Sequence, residues 1–414
     1  MNRATFFQSA AYMGALVAVS VVATQAQTGS QPAASTQTQS KRAVSDSDGR
    51  IALIPPPGGG TAGGSFTITT AGSYKLTANL YGQSNSYGIK IEASNVTLDL
   101  QGFSVFGNPG SVAGIAVTKP GMTNVTIKDG VVRGWTGSGI DTSLATNCVI
   151  DGVLASSNGV GIKIDQGSVT TCVVKGNTQE GIRALHDASI IGCIADANGG
   201  DGIYPGRGST MSHCAANSNV GRGFVTAEGC SLNNCAAASN GSGFEINVGS
   251  SLTQCTAYFN VAAGFLGDDS VLTDCTAFKN GGVGFAVDHS EVRGCVANYN
   301  VSLGFIGDSD FVSCRADNNH GDGFDLNGGS VRSCTASDND GAGFDADGTT
   351  RVQDNQATDN ATGFDLNDRC FAVGNTARGN STNYSLDNTV RFGELLTIGS
   401  GAFDGGKPFA NYEY

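Results

Sequence analysis

Proline is scarce in this 414-residue chain, with eight in all, and so are tryptophan, at one, and histidine and methionine, at four each. Charge is thin: 14% of residues are Asp, Glu, Lys or Arg. The basic share is smaller still, 23 Lys and Arg against 36 acidic residues, for a formal net charge of −13. A chain this acidic lacks the electrostatic footprint of a nucleic-acid binder, and no nucleic-acid partner is expected. Long hydrophobic runs are absent too. The longest, Ala11 to Ala23, has thirteen residues, short of the ~20 that span a bilayer as a helix. With Arg3 before it and Ala26 after it, that run suits a secretion signal over 1–26. The remaining chain is expected to be secreted, periplasmic or at the cell surface, with no transmembrane span after the signal is removed.

Glycine is abundant, at 61 residues. Each interior Gly costs a helix about 1 kcal/mol relative to Ala, so long helices are disfavoured. Residues 27–50 form a polar, low-complexity linker. From Ser65, "SFTITTAGSYKLTANLY" alternates apolar and polar residues, so 51–84 is expected to be a strand-rich N-terminal cap.

A repeat follows. The Gly of a Gly-Ile or Gly-Phe pair recurs from Gly88 to Gly363, first at 26, 25 and 22 residues and then every 19 to 21. Cysteine marks successive units from Cys148 through Cys172, Cys193 and Cys214 to Cys334, after which Asn355 and Asn375 take the same column. A second column is asparagine throughout, from Asn158 to Asn380, and alanine follows most column cysteines by two residues. Units of about 20 residues with short apolar patches and no helical period indicate stacked coils of short strands. Like residues then stack about 4.8 Å apart. Buried asparagines can bond the backbone of one coil and the amide of the next, and a buried Cys is a small hydrophobe for the same slot.

The pattern V/L-x-x-C/N-x-A-x-x-N-x-x-x-G-F/I resembles the right-handed parallel β-helix repeats of the pectate-lyase-like superfamily, in the style of its exported bacterial members. The resemblance implies an all-β, right-handed parallel β-helix over 85–385, followed by an aromatic-rich C-terminal cap or tail over 386–414. It speaks to fold, being carried by packing positions. "GFDLNDR", Gly363 to Arg369, is also similar to the mannuronan C5-epimerase motif Y-G-F-D-P-H-D. However, Thr362, Leu366 and Asn367 replace its Tyr, Pro and His, and Gly-Phe recurs in every coil.

Twelve cysteines in an exported chain would ordinarily suggest disulfides. Stacked Cβ atoms about 4.8 Å apart exceed the roughly 3.5–4.5 Å of a bridge, so free thiols are expected. Function would be written on the outer faces. Three successive coils read "AYFN", "AFKN" and "ANYN", which places Tyr258, Phe278, Lys279 and Tyr299, with Phe259, on a surface suited to binding a glycan. Asp268, Asp288 and Asp308 recur four residues after the repeat Gly. That row would suit calcium, which takes six to eight oxygens, though Asp is also an ordinary turn residue and the row reads better as solvated turns. For catalysis the candidate set is Asp269 and His289 as an acid–base pair with Arg293 as a cation for substrate. Three readings stand side by side: a non-catalytic binder of glycans or surface polymers, a polysaccharide lyase, epimerase or glycosidase, and a structural spacer.

Overall fold

The computed structural model describes residues 44–45, 48–56, 64–397 and 410–414. The expected signal over 1–26 and most of the 27–50 linker lie outside the described residues. All regular structure among them is β-strand. Apart from the antiparallel contact of Val44–Ser45 with Ile51–Leu53, every strand pairing is parallel. The chain is a parallel β-helix of coils of about 20 residues, as the repeat predicts.

One coil shows how the repeat builds it. Strands Val271–Thr273, Thr276–Phe278 and Phe285–Asp288 form three sides. Each side ends in a residue with left-handed backbone: Asp274 at φ 53°, Lys279 at φ 52° and His289 at φ 50°. The next residue at each corner points inward and is buried: Cys275, Asn280 and Ser290. Left-handed residues turn the chain sharply, and the small or amide side chain that follows fills the corner. The first two sides belong to a 33-stranded sheet and the third to a 16-stranded one. Fifteen steps of about 4.8 Å make the latter about 72 Å long.

The columns interlock. Phenylalanines of the third side stack with nearly parallel rings from Phe224 to Phe364, with ring centroids 4.6 to 5.0 Å apart. The preceding glycine is set by close approach. A Cβ on Gly264 would lie 2.7 Å from the Gly284 carbonyl oxygen, 2.9 Å from Asn280 Nδ2 and 3.0 Å from Ala277 Cβ. Gly, Ala and Asn columns therefore fit only one another, which is why the three repeat together. The Asn ladder is fully bonded inside. Asn280 Oδ1 accepts from Asn260 N (3.2 Å) and Nδ2 (2.9 Å), while its own Nδ2 donates to Ala257 O (3.1 Å) and Asn300 Oδ1 (3.0 Å).

All twelve cysteines are free and buried. Cys230 and Cys370, outside the main cysteine column, are not irregular. They occupy the third corner, in line with buried Ser209, Ser250, Ser270 and Ser290 and with Thr350. The Cys230 N–H donates to Ser250 Oγ at 3.2 Å. This serine ladder is not apparent from the sequence, where serine is also a common turn residue.

The coils begin before residue 85. Phe66–Ile68 pairs in parallel with Tyr87–Ile91, and Ile51–Leu53 with Tyr74–Leu76. The segment expected as a strand-rich cap over 51–84 thus contributes strands Phe66–Ile68 and Gly72–Leu76 to different sides of one coil, in register with the coils that follow. The early coils are longer and filled by Ile, Val and Leu, so they carry no Cys or Asn column. At the other end the Asn column of Asn355 and Asn375 is completed by Asn411, whose Oδ1 accepts from Asn375 N and Nδ2, both at 3.0 Å.

Candidate functional site

The aromatic residues expected to share a surface do so, at the second corner. Tyr258 and Phe278 are in register on adjacent strands, outward and half-buried. Phe259, Lys279 and Tyr299 are the left-handed corner residues, with φ 55°, 52° and 56°. Phe259 is 53% exposed and Tyr299 49%. The rings meet edge to face, not as a flat tape: Tyr258–Phe259 at 6.0 Å, Phe259–Phe278 at 6.1 Å and Phe278–Tyr299 at 5.8 Å. Lys279 Nζ sits among them, 5.1 Å from the Phe278 centroid and 5.8 Å from those of Phe259 and Tyr299. Val261 and Val301, exposed just past the corner, extend the apolar ridge. Beneath it, Asn298 Oδ1 is a buried acceptor with no hydrogen-bond donor.

Left-handed backbone costs an ordinary L-residue about 1–2 kcal/mol, and a bulky side chain there is an outlier. Neighbouring coils place Ser218, Ser239, Asn318 and Asp338 at this corner. Three successive coils carry large exposed side chains instead.

The proposed catalytic set does not converge. Asp269 and His289 are corner residues of the third corner, one coil apart, with φ 46° and 50°. The acid that faces His289 is Asp268, its Oδ1 3.7 Å from Nδ1, both side chains well exposed. Arg293 lies on the next strand and is held by Glu291. The corner residue turns the chain, so an offset counted along the sequence selects the wrong aspartate. Asp268 and Asp288 are in register, and the Asp308 N–H donates to Asp288 Oδ1 at 2.9 Å. All three are exposed. Among the described residues, no three His, Cys, Asp or Glu side chains gather where a metal ion could be held. The calcium row is thus a line of separate carboxylates.

Two clusters stand out more clearly in three dimensions. On the third side, Asp325, Asp345 and Asp365 stack in register, each half-buried. Burial, then the charges of Asp365, Asp322, Asp325 and Asp347, push the Asp345 carboxyl up to about 7. Burial followed by Asp322 and Asp347 raises Asp325 as well. Between the ordinary carboxylate range and about pH 7, the folded chain keeps an Asp345 proton that the unfolded chain releases. Stability contributed by this group is present at low pH and falls as pH rises towards 7, then levels off. Urea melts from pH 4.5 to 7.5 are expected to show a smaller decline for Asp345→Asn than for the parent. Equal slopes would show that the group titrates normally.

The second cluster lies at the third corner. His186 Nδ1 is 2.7 Å from Asp165 Oδ1 of the preceding coil, and Arg207 Nε is 3.3 Å from Glu228 Oε2. His186, Asp187, Arg207, Glu228 and Val248 line a groove of about 550 Å³, with Gly208 and Gly229 between them. The sequence contains its signal, Asp165, His186, Arg207 and Glu228 at intervals of 21 residues, but His186 looks isolated until the coils are stacked.

No family model matches the chain, and no curated protein matches it. Solved structures do. The A-module of a mannuronan C-5 epimerase of Azotobacter vinelandii is 16% identical over 79% of this chain and 90% of its own, with a TM-score of 0.35. The tailspike protein of E. coli bacteriophage HK620, in complex with a pentasaccharide, is 13% identical over 85% of this chain and 72% of its own, with a TM-score of 0.35. At these identities and scores, nothing of their sites transfers. Among the described residues no helix is long and apolar enough to cross a membrane.

Proposed function

We propose that the protein is exported and binds a glycan or another surface polymer along the aromatic corner, without acting on it. The observation that carries this reading is the backbone at Phe259, Lys279 and Tyr299, three left-handed positions in a row bearing bulky exposed side chains. Strain of this kind persists where function requires it. Tyr258, Phe278 and Tyr299 offer apolar ring surface for sugar faces, and Lys279 offers three donors for hydroxyl or acidic groups.

The double replacement Phe259→Asn, Tyr299→Asn tests it, because Asn tolerates this backbone. The variant is expected to melt at or above the parent's temperature while losing glycan affinity by about 1–3 kcal/mol, the scale of aromatic stacking. Affinity electrophoresis or calorimetry across a polysaccharide panel measures the second quantity. A variant that binds every glycan as the parent does would remove the ridge from consideration.

The groove at His186 supports a second reading, a carbohydrate-active enzyme. A carboxylate on Nδ1 orients an imidazole so that Nε2 can take or give a proton, and Arg207 could face a negatively charged substrate group. If so, His186→Gln is expected to abolish release of reducing ends or unsaturated products while leaving ridge binding intact. A parent protein that forms no product from any panel member leaves the non-catalytic reading alone.

A further inference from the structure

The third side of the solenoid is polarised from Lys163 to Asp365, with Asp141 in register one coil before Lys163. Its central outward column can be followed rung by rung, because the strand register is continuous. Near the N-terminal end it presents Lys163 and Arg183 in register, followed by Tyr204. In the middle come Leu266, Ala286 and Ile306, each half-buried, with no strand packed over them among the described residues. Towards the C-terminal end it presents Asp325, Asp345 and Asp365. Thus one flat face carries cations at one end, an apolar centre and carboxylates at the other.

Leu266 stands midway. From Lys163 to Leu266 is five coils, and from Leu266 to Asp365 is five more. A two-fold axis along the strand direction through Leu266 reverses the solenoid but not the strands, so the column meets itself read backwards. Leu266 then faces Leu266, and Ile306 faces Val225. Asp325 faces the Tyr204 hydroxyl, Asp345 faces Arg183, and Asp365 faces Lys163. Ala286 meets Glu245, whose carboxylate is already held by Arg222 at 2.5 Å.

We infer that this face is the interface of an antiparallel homodimer, with a second copy of the chain as its occupant. The self-complementarity is isologous, as two-fold dimers require. The strands of this face are two to five residues long, so ten steps of about 4.8 Å by about 3.6 residues of about 3.3 Å give a strip of about 48 by 12 Å, or about 580 Å² per copy. That is about three quarters of the roughly 800 Å² per partner of a standard interface, at the lower end of specific association. Each end pairs opposite charges, and a partner's cations relieve the repulsion within the Asp325, Asp345 and Asp365 stack. In the monomer Arg183, which lies over the Tyr204 ring at 5.8 Å, has an exposed contact with Glu180 three residues away, and Lys163 a 3.6 Å contact with Asp141. Neither contact would hold the cation against a better partner.

The register is tested by complementary charge reversal, read by sedimentation equilibrium. The parent is expected to sediment at twice the chain mass at low salt and to dissociate as salt is raised. R183D alone sets Asp against Asp345, and D345R alone sets Arg against Arg183, so each is expected to be monomeric. Mixed in equal amounts, they restore both pairs, and the doubled mass should return. K163D with D365K repeats the experiment one coil further out, should either first variant fail to fold as judged by circular dichroism. A parent that stays monomeric at high concentration overturns the inference. So does either folded variant dimerising alone, or a mixture that fails to re-form the dimer. The assay uses no glycan, so its outcome is separable from that of the ridge.

Discussion

Replacing Phe285 with alanine is expected to destabilise the protein by about 3–5 kcal/mol, the range for removing a large buried ring. The side chain is wholly buried and lies 4.6 Å from the Phe265 ring and 4.8 Å from the Phe305 ring, tilted by 2° and 8°. Two stacked contacts vanish with it. The neighbours cannot close the gap, because strand hydrogen bonds on all three sides fix the spacing of the coils. In a solenoid each coil is stabilised chiefly by the coils beside it. A central defect is therefore expected to divide one melting transition into two, for the halves before and after residue 285. Phe285→Leu, which refills most of the space, should cost less than half as much and keep a single transition. If urea denaturation followed by circular dichroism finds the two variants equal to the parent, the phenylalanine stack is not what joins the coils.

Asn280→Ala is expected to cost about 4–6 kcal/mol by another route. Four hydrogen bonds end on this side chain. Its loss leaves the buried Asn260 backbone N–H with no acceptor, at about 1–3 kcal/mol. Asn260 Nδ2, Ala257 O and Asn300 Oδ1 each lose a bond worth about 1 kcal/mol. The informative companion is Asn280→Cys, because the first corner makes the same exchange. There the Cys275 N–H donates to Cys295 Sγ at 3.4 Å and the Cys314 N–H to Cys334 Sγ at 3.2 Å. A thiol at 280 should recover the backbone bond and about half the lost stability. Cys falling with Ala would mean that the second corner needs an amide for its shape and not for its acceptor.

The Cys, Asn, Ala and Gly-Phe columns were legible in the sequence because each is forced by the others. Gly264 has room for no Cβ above Ala277 and Asn280, so all three must repeat at one period. The first coils were illegible for the converse reason. Phe66 stacks over Ile89, which is 23 residues on, in a stretch where several aliphatic side chains serve equally and coil length drifts. Side-chain direction at the ridge followed from alternation along the strand. What did not follow was the backbone at Phe259 and Tyr299, since a residue's φ leaves no mark in its identity when the identity is unfavourable. The His186 cluster failed for a different reason. Its four members come from four coils, and only stacking makes a column of single charged residues a site.

The asparagine ladder also has a direction. From Asn177 to Asn360 each side-chain Nδ2 donates to the Asn Oδ1 of the coil that follows, besides a carbonyl of the coil before, and each Oδ1 from Asn198 to Asn380 accepts from the coil before. A coil added during synthesis therefore satisfies the amide beneath it and exposes its own. The leading edge of the nascent solenoid presents an unmet Asn amide at this corner among unmet backbone N–H and C=O groups, a template able to capture a strand. That edge closes at the first corner only when Asn411 arrives, 36 residues after Asn375. Without Asn411, the Asn375 N–H and one of its Nδ2 hydrogens would have no acceptor at this corner.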